Sequence, residues 1–186
     1  MISRILPDKM KYDGSQIMPL WAYSIGIKGD SMVLFHGPMD VALEHMKDFE
    51  DRKEEKAIKG DDLLHIIIEK FDSPASMRLA YYMQRLLVVC IRDVLMNHGV
   101  QTARKGDDLF IEDRKLTVSI ATAGISSEKI HCGINITTQG TPEDVRTASL
   151  EESDLKDWKP IAREISETFL REIEDIESDI IKTKSL

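Results

Sequence analysis

The chain has 186 residues, a formal net charge of −8, 42% hydrophobic residues and 31% charged residues. A chain of this length and composition can bury a sizeable core, so we expect one domain spanning residues 1–186. The acidic balance argues against general nucleic-acid binding, which needs basic surface. No apolar run approaches the ~20 residues of a membrane span, and residues 1–10 lack a secretory pattern. We therefore expect a cytoplasmic protein.

The two cysteines predict buried thiols. Cys90 lies in a helical apolar run, and Cys132 lies on the apolar side of a predicted strand. In that setting two reduced, buried thiols are favoured over a disulfide. No zinc-ligand spacing is present.

The first third of the chain predicts a hairpin and then a helix. After a mixed lead-in over residues 1–18, residues 20–28 are rich in Trp, Tyr and Ile, and residues 31–36 are apolar; both predict strands, joined by a turn at Gly29-Asp30. Asp40 is a candidate N-cap for a helix over residues 39–57. The charged run in that helix is typical of a solvated face, with a mobile lid over a ligand as the alternative.

The next segment predicts a strand followed by a long helix. Residues 63–71 alternate, with Leu64, Ile66 and Ile68 on one face and His65 on the other. Ser73-Pro74 predicts the helix start, and Gly99 follows its expected last residue, His98.

Residues 104–136 predict three antiparallel strands, with a short polar turn at residues 112–114. Alternation places Leu116, Val118 and Ile120 on one face of the second strand, and Cys132 and its neighbours Ile130, Ile134 and Ile136 on the apolar face of the third. The opposite face carries Lys115, Thr117, Ser119, Ala121, His131, Gly133 and Asn135, and His65 of the earlier strand is expected to project toward the polar face that holds His131. From alternation alone, this face is either a solvated surface or a ligand site.

The C-terminal part predicts mainly a helix. Residues 141–144 predict a capped helical turn, and Pro160 predicts the start of the final helix. Its apolar stripe predicts a buried face, and residues 182–186 predict a frayed tail. The stripe consists of Ile161, Ile165, Phe169, Ile173 and Ile176.

The central stretch resembles a motif of the biotin protein ligases. In that family an Asn-Asp pair opens one strand and a lysine opens the next; here the pair is Asp107-Asp108, and Lys115 follows seven residues after Asp108. Residues 133–136 resemble the Gly-Ile-Asn strand of those ligases. Nearly the full chain further resembles a chiefly archaeal family of unknown function, grouped by fold with biotin and lipoate ligases. The resemblance implies an α/β fold of the α+β type, with a mixed, mostly antiparallel sheet packed with helices.

The resemblance also implies a chemistry, the ATP-dependent activation of a small carboxylic acid as an acyl-adenylate and its transfer to an acceptor protein. Lys115 would contact the acyl carbonyl and phosphate, and Asp108 would assist Mg²⁺ or the acceptor lysine. Asn135 would hydrogen-bond an adenine or ribose edge. The ligand-binding candidates are Asp107, Thr117, Ser119, His131, Gly133, Asn135 and His65.

The chain departs from both ligase families at one place. It has neither the Gly-Arg-Gly-Arg loop of biotin ligases nor the Arg-Arg-x-x-Gly-Gly-Gly stretch of lipoate ligases, and the equivalent residues 48–62 are mostly charged. A non-catalytic nucleotide- or metabolite-binding module therefore stands as an alternative. In a third hypothesis Lys115 and Asp108 form an ordinary cross-strand ion pair. Homodimerisation through an edge strand is also left open.

Overall fold

A computed structural model describes residues 1–184. Within them the four α-helices are α1 (Trp21–Ser24), α2 (Phe49–Lys53), α3 (Met77–Asn97) and α4 (Trp158–Lys182). The strands are β1 (Ile2–Ile5), β2 (Ser31–Asp40), β3 (Lys59–Phe71), β4 (Ala103–Lys105), β5 (Asp108–Ile111), β6 (Arg114–Lys115), β7 (Thr117–Ala123) and β8 (Ser127–Asn135).

The strands form two sheets. The larger has the order β1-β2-β3-β8-β7, in which β1 runs parallel to β2 and the other pairs are antiparallel. The smaller is the antiparallel sheet β4-β5-β6. The predicted fold class, a mixed and mostly antiparallel sheet with helices, is confirmed.

Helices α3 and α4 cover one face of the larger sheet, and the main core lies between them. Leu64, Ile66 and Ile68 of β3 are fully buried there, as alternation predicted. Both cysteines are buried and unpaired, which confirms the expected thiols, and burial raises the pKa of the Cys90 thiol to about 11. The α4 stripe is buried at Ile161, Ile165 and Phe169, partly buried at Ile173, and exposed at Ile176.

The opposite face of the larger sheet holds a second apolar cluster. Phe35 of β2 and Leu63 and Ile67 of β3 pack there with Tyr12 and Met39. Parts of residues 6–27 and of 41–58 cover this cluster. The sheet is therefore buried on both faces, and the predicted polar face is only partly polar.

The predicted strand over residues 20–28 is wrong. Leu20 has a left-handed backbone (φ 65°), and α1 follows it. Ala22 and Ile27 pack against Val33 of β2. These residues therefore cover a face of the sheet and do not form one of its strands. Strand β2 pairs instead with β1, inside the predicted lead-in, and with β3.

The predicted helix over residues 39–57 is also wrong. Strand β2 continues through Asp40, and Asp48, not Asp40, caps a helix of five residues. Its side chain accepts hydrogen bonds from the backbone N–H of Glu50 and Asp51 at 2.8 and 3.0 Å. Adjacent acidic and basic side chains create a helical pattern in this segment, but no apolar face holds a long helix in place.

Other boundaries differ from the predictions by a few residues. Helix α3 begins at Met77, with Ser76 as its cap, and ends next to His98 and Gly99 as expected. Helix α4 begins at Trp158, so Pro160 lies in its first turn, where its missing N–H is not needed. Residues 141–144 form a turn without a helix, and of the predicted frayed tail, residues 185–186 lie outside the described part.

The predicted alternation in the second central strand is wrong. Lys115 ends β6 in the smaller sheet, and the chain crosses at Leu116 into β7 of the larger sheet. Alternation does not continue through that crossing, so Ser119 and Ala121 face α3 with the main core. Val118 and Ile120 instead face the second cluster, in register with Gly133 and His131 of β8.

None of the helices in residues 1–184 has the length and apolar content that crossing a membrane requires.

A buried ion pair fixes the segment before α1 to the sheet. Glu69 of β3 and Lys129 of β8 are 2% and 1% exposed and contact each other directly. The Glu69 carboxylate also accepts from the backbone N–H of Leu20 and from Ser127 Oγ, both at 3.1 Å. Lys129 Nζ donates to the carbonyl oxygen of Met18 at 3.2 Å. Burial lowers the pKa of Lys129, and Glu69 opposes that shift.

The Lys129→Ala variant is expected to lose about 3–5 kcal/mol of unfolding free energy, because Glu69 then stays buried without its partner. Urea denaturation measures this loss. The matched control is Lys182→Ala, which breaks the exposed pair with Asp179 and is expected to change stability by less than about 0.5 kcal/mol. A loss below about 1 kcal/mol for Lys129→Ala would show that the buried pair does not hold this region.

Candidate functional site

The backbone of Lys115 is fixed from both sides. Its N–H donates to the carbonyl oxygen of Arg146 at 2.8 Å, and its own carbonyl oxygen accepts from the N–H of Ala148 at 2.9 Å. Asn135 Nδ2 donates to the carbonyl oxygens of Lys115 and Ala148 at 3.3 and 3.1 Å. The start of the Lys115 side chain is therefore rigidly placed, while its end is about a third exposed.

The side chains of Lys115 and Asp108 form an ion pair, with Nζ 2.9 Å from Oδ2. Burial raises the pKa of the Asp108 carboxyl, and the Lys115 ammonium opposes that rise. The third hypothesis foresaw this cross-strand pair, but the pair alone does not explain why Lys115 also lines a cavity.

A cavity of about 310 Å³ opens beside Lys115. Thr117 and Val118 of β7, Asn135 of β8, and the loop containing Thr141 and Thr147 form part of its wall. Residues 56–59 close another side. The cavity lies where β7 and β8 meet the covering segment of residues 41–58 and the loop of residues 141–147.

Three lysines and two aspartates line this cavity: Lys56, Lys59, Lys115, Asp51 and Asp144. Lys56 is paired with Asp51 and Glu54, both at 3.0 Å. Lys59 has no carboxylate within salt-bridge distance anywhere in residues 1–184. Because Lys56 and Lys115 are ion-paired, Lys59 is the cavity lysine most available to an anionic ligand.

A smaller cavity of about 90 Å³ adjoins the larger one, and both are lined by Asp51, Ile58 and Val118. Its wall includes Tyr12 and His131. The two cavities together form a path along the sheet face, from the lysines to the buried aromatic side chains.

His65 and His131 lie side by side beneath the small cavity. His65 is completely buried and His131 is 2% exposed; His65 Nδ1 is 3.1 Å from His131 Nε2. His65 Nε2 lies 3.1 Å from the carbonyl oxygen of Gly37, and Tyr12 stacks on His131 at 3.6 Å between ring centres. Burial lowers the pKa of His65 to about 3 and that of His131 well below its usual value. The prediction that His65 projects toward His131 is correct.

Two predicted ligand residues lie on the other side of the sheet. Asp107 accepts from Arg85 NH1 at 2.6 Å and from Gln84 Nε2 at 3.1 Å. Ser119 Oγ donates to the Asp107 carboxylate at 3.0 Å and accepts from Gln84 Nε2 at 2.9 Å. These contacts attach the smaller sheet to α3. Ser119 is also among the residues that line the small cavity, but its hydroxyl is bonded to Gln84 and Asp107 on the α3 side.

The remaining candidates lie near the cavities but carry structural contacts. Thr117 Oγ1 accepts from the N–H of Leu109 at 2.8 Å, and Asn135 Nδ2 already donates to two backbone carbonyl oxygens. At Gly133 an added Cβ would lie 3.1 Å from Leu63 Cδ2 and 3.3 Å from Val118 Cγ1. The glycine therefore accommodates the neighbouring side chains rather than leaving room for a ligand.

Tyr12 and Lys59 line the cavities, and no sequence pattern indicated either of them as a site residue. Tyr12 belongs to the predicted lead-in, and Lys59 belongs to a segment predicted only to break a helix. Tyr12 reaches the small cavity because irregular chain folds back over the sheet, whereas Lys59 reaches the large one as the first residue of β3.

The described residues bring together no group of three His, Cys, Asp or Glu side chains able to hold a metal ion. The carboxylates closest to Lys56 and Lys115, which are Asp51, Glu54 and Asp108, are all ion-paired to these lysines. Mg²⁺ commonly binds through one or two carboxylates together with substrate phosphates, and that is the form of binding these residues fit.

The fold is that of the biotin and lipoate protein ligases. A mutant biotin protein ligase of Aquifex aeolicus, solved in complex with biotin, matches with a TM-score of 0.57 and 14% identity over 97% of this chain and 72% of that one. Lipoate-protein ligase A, solved with ATP, matches with a TM-score of 0.55 and 12% identity over 94% and 86%. At such identities the likeness concerns the fold alone.

Within that fold, the chain belongs to the family described as Domain of unknown function (DUF366), whose model matches residues 1–184. The uncharacterized protein MJ0805 of Methanocaldococcus jannaschii is 41% identical over 184 residues, covering 96% of this chain and 82% of that protein. A protein of unknown function from Pyrococcus horikoshi has a TM-score of 0.93 and 38% identity, with full coverage of both chains.

The buried histidines are expected to make stability fall as pH drops below about 6.5. In that range the unfolded chain binds protons at both histidines, whereas the folded state, with its lowered pKa values, does not. Each histidine contributes a slope of about 1.4 kcal/mol per pH unit, down to about pH 3 for His65. Urea unfolding at pH 7.5, 6.0 and 5.0 measures it.

The control for the urea unfolding experiment is the double variant His65→Asn/His131→Asn, which lacks both imidazole rings. Its stability is lower at neutral pH but is expected to vary less between pH 6 and 5. Equal slopes in the two proteins would contradict the assignment of neutral, buried histidines.

Proposed function

We propose that this protein activates a small carboxylic acid with ATP, forming an acyl-adenylate that is then transferred to an acceptor. The observation that carries the proposal is the position of Lys115. Its backbone is fixed on both sides, and its side chain lines a 310 Å³ cavity that adjoins a smaller one whose wall is partly apolar. The arrangement fits a nucleotide phosphate beside Lys115 and an acyl chain along the sheet.

The reaction needs a cation at the point where charge develops. A carboxylate oxygen of the acid attacks the α-phosphorus of ATP, the bond from that phosphorus to the bridging oxygen breaks, and pyrophosphate leaves with the electron pair. The ammonium group of Lys115 would stabilise the added negative charge on the α-phosphate. Asp108, 2.9 Å away, would hold the ammonium in place before ATP binds.

The remaining cations of the large cavity fit the rest of the nucleotide. Lys59 would attract the β- and γ-phosphates, because it lacks a carboxylate partner among the described residues. Lys56 would contribute only after leaving Asp51 or Glu54. Mg²⁺ would arrive with the nucleotide and supply further charge neutralisation.

A binding module without catalysis is the second candidate, and the segment over residues 41–58 favours it. Biotin and lipoate ligases are distinguished in sequence by loops rich in arginine or glycine, whereas this segment presents Asp48 and Asp51 to the small cavity. Such a site binds a nucleotide or metabolite but contributes fewer cations to a transition state.

One experiment separates the candidates. Calorimetry with ATP and Mg²⁺ measures binding, and a pyrophosphate-release assay with a panel of small carboxylic acids measures adenylation. Binding with release supports the ligase, and binding without release supports the module. If no nucleotide binds, the proposal of ATP-dependent activation is wrong.

The Lys115→Ala variant is expected to lower the rate of pyrophosphate release by about 10²-fold or more, because the transition state loses a preorganised cation. Its unfolding free energy is expected to change by no more than about 1 kcal/mol, since the pair with Asp108 is partly exposed. Lys115→Arg keeps the charge but not the compact ammonium group, and is expected to restore only part of the rate.

The matched control is Lys105→Ala on β4 of the same small sheet, whose ammonium lies over the Phe110 ring rather than at the cavity. This variant is expected to retain wild-type release. If Lys115→Ala and Lys105→Ala release pyrophosphate equally well, Lys115 is not part of the reaction.

The Lys59→Ala variant is expected to raise the Kd for ATP about three- to tenfold at low ionic strength, with a smaller effect at high salt, because an exposed charge is screened. Calorimetry at two salt concentrations measures this change. Lys28→Ala, a change of an exposed lysine away from both cavities, is the control. An unchanged Kd for Lys59→Ala would place the phosphates elsewhere.

A further inference from the structure

The hydrogen bonds of the two buried histidines fix where each proton lies. The carbonyl oxygen of Gly37 can only accept, so His65 Nε2, 3.1 Å away, carries a hydrogen and donates it. In the neutral ring His65 Nδ1 is then an acceptor, and His131 Nε2 must donate to it across 3.1 Å. By the same rule His131 Nδ1 carries a lone pair and no hydrogen.

This lone pair has no protein partner. Among residues 1–184 no donor lies within hydrogen-bond distance of His131 Nδ1, although the residue is only 2% exposed and lines the small cavity. Tyr12 stacks on the ring with 12° between the planes and restricts its rotation. The Nδ1 atom is not one of the described side-chain atoms that are both sealed from solvent and unpaired, so it is open to the cavity, where a ligand or water can donate to it.

The other walls of the small cavity limit what that ligand can be. Ile17, Val41, Ile58, Val118 and Ile120 make much of the wall apolar, and the charged side chains of Lys47, Asp48 and Asp51 complete it. At about 90 Å³ the cavity is smaller than the ~150 Å³ apolar cavity that accepts benzene. It therefore fits a compact group with one hydrogen-bond donor and excludes a fused bicyclic ring.

We propose that the small cavity selects a short carboxylic acid with a hydroxyl or amide N–H group at the end remote from its carboxylate, and that His131 Nδ1 accepts the hydrogen bond from that group. The acid part of this inference rests on the proposed function, which places the carboxylate near Lys115. His65 acts as a positioning residue. Its Nδ1 accepts the hydrogen bond from His131 Nε2, which leaves His131 Nδ1 as the acceptor for a ligand.

The test compares acids that differ only at the remote end. Calorimetry without nucleotide measures the affinity of ω-hydroxy acids of three chain lengths, each paired with the alkyl acid in which a methyl group replaces the hydroxyl. At the best length we expect the hydroxy acid to bind at least about tenfold more tightly, because the alkyl acid displaces water and leaves the imidazole acceptor unpaired.

Two variants assign that preference to His131. His131→Phe retains a ring against Tyr12 but removes both nitrogens, and is expected to bind both acids equally. His131→Asn places an amide oxygen near the position of Nδ1 and is expected to restore part of the preference. The control is His98→Asn, remote from both cavities in its pair with Glu164, and it is expected to retain the full preference. Thermal unfolding of each variant confirms that it is folded.

The outcomes distinguish this inference from the proposed function. Equal affinities in the wild-type protein, a preference that persists in His131→Phe, or no binding by either acid series overturns the selection proposed here. Pyrophosphate release with some other acid would leave adenylation standing in that case. A preference carried by His131 without pyrophosphate release would support the selection and contradict adenylation.

Discussion

The structure depends on the passage of the chain from the small sheet to the large one at Leu116. The N–H of this residue donates to the carbonyl oxygen of Leu109 at 2.8 Å, and its own carbonyl oxygen accepts from the N–H of Asn135 at 3.0 Å. Leu116 thus links the backbone of β5 in the smaller sheet to the end of β8 in the larger sheet. Because Lys115 directly precedes the crossing, the same contacts place its side chain at the cavity beside β7 and β8.

That crossing explains what the sequence could and could not predict about the site. The faces of β3 and β8 followed from alternation, and with them the approach of His65 to His131, because each strand is continuous. Between Lys115 and Thr117 the chain changes sheets, so alternation assigned Ser119 to the wrong face. Only the tertiary contact between Ser119 and Gln84 of α3 decides that face.

The segments before α1 and after β2 were predicted least well, and they build much of the cavities. Tyr12 stacks on His131, and Ile58 lines both cavities, yet neither segment has a periodic pattern of its own. Their conformations depend on buried partners far away in sequence, such as the contact of Leu20 with Glu69. Propensity and periodicity describe local structure, so they contain no information on such contacts.

The two cavities differ in the kind of interaction they offer, so the two ends of a bound ligand would meet different chemical groups. At one end the lysines are partly exposed and act through charge, which salt and water weaken. At the other end the histidines are buried and neutral, because desolvation disfavours their charged forms, and they act through directed hydrogen bonds. A ligand that satisfies both ends must carry its negative charge at one end and a hydrogen-bond donor at the other. The fold thus allows charge to set the orientation of a ligand and the buried histidines to set its identity.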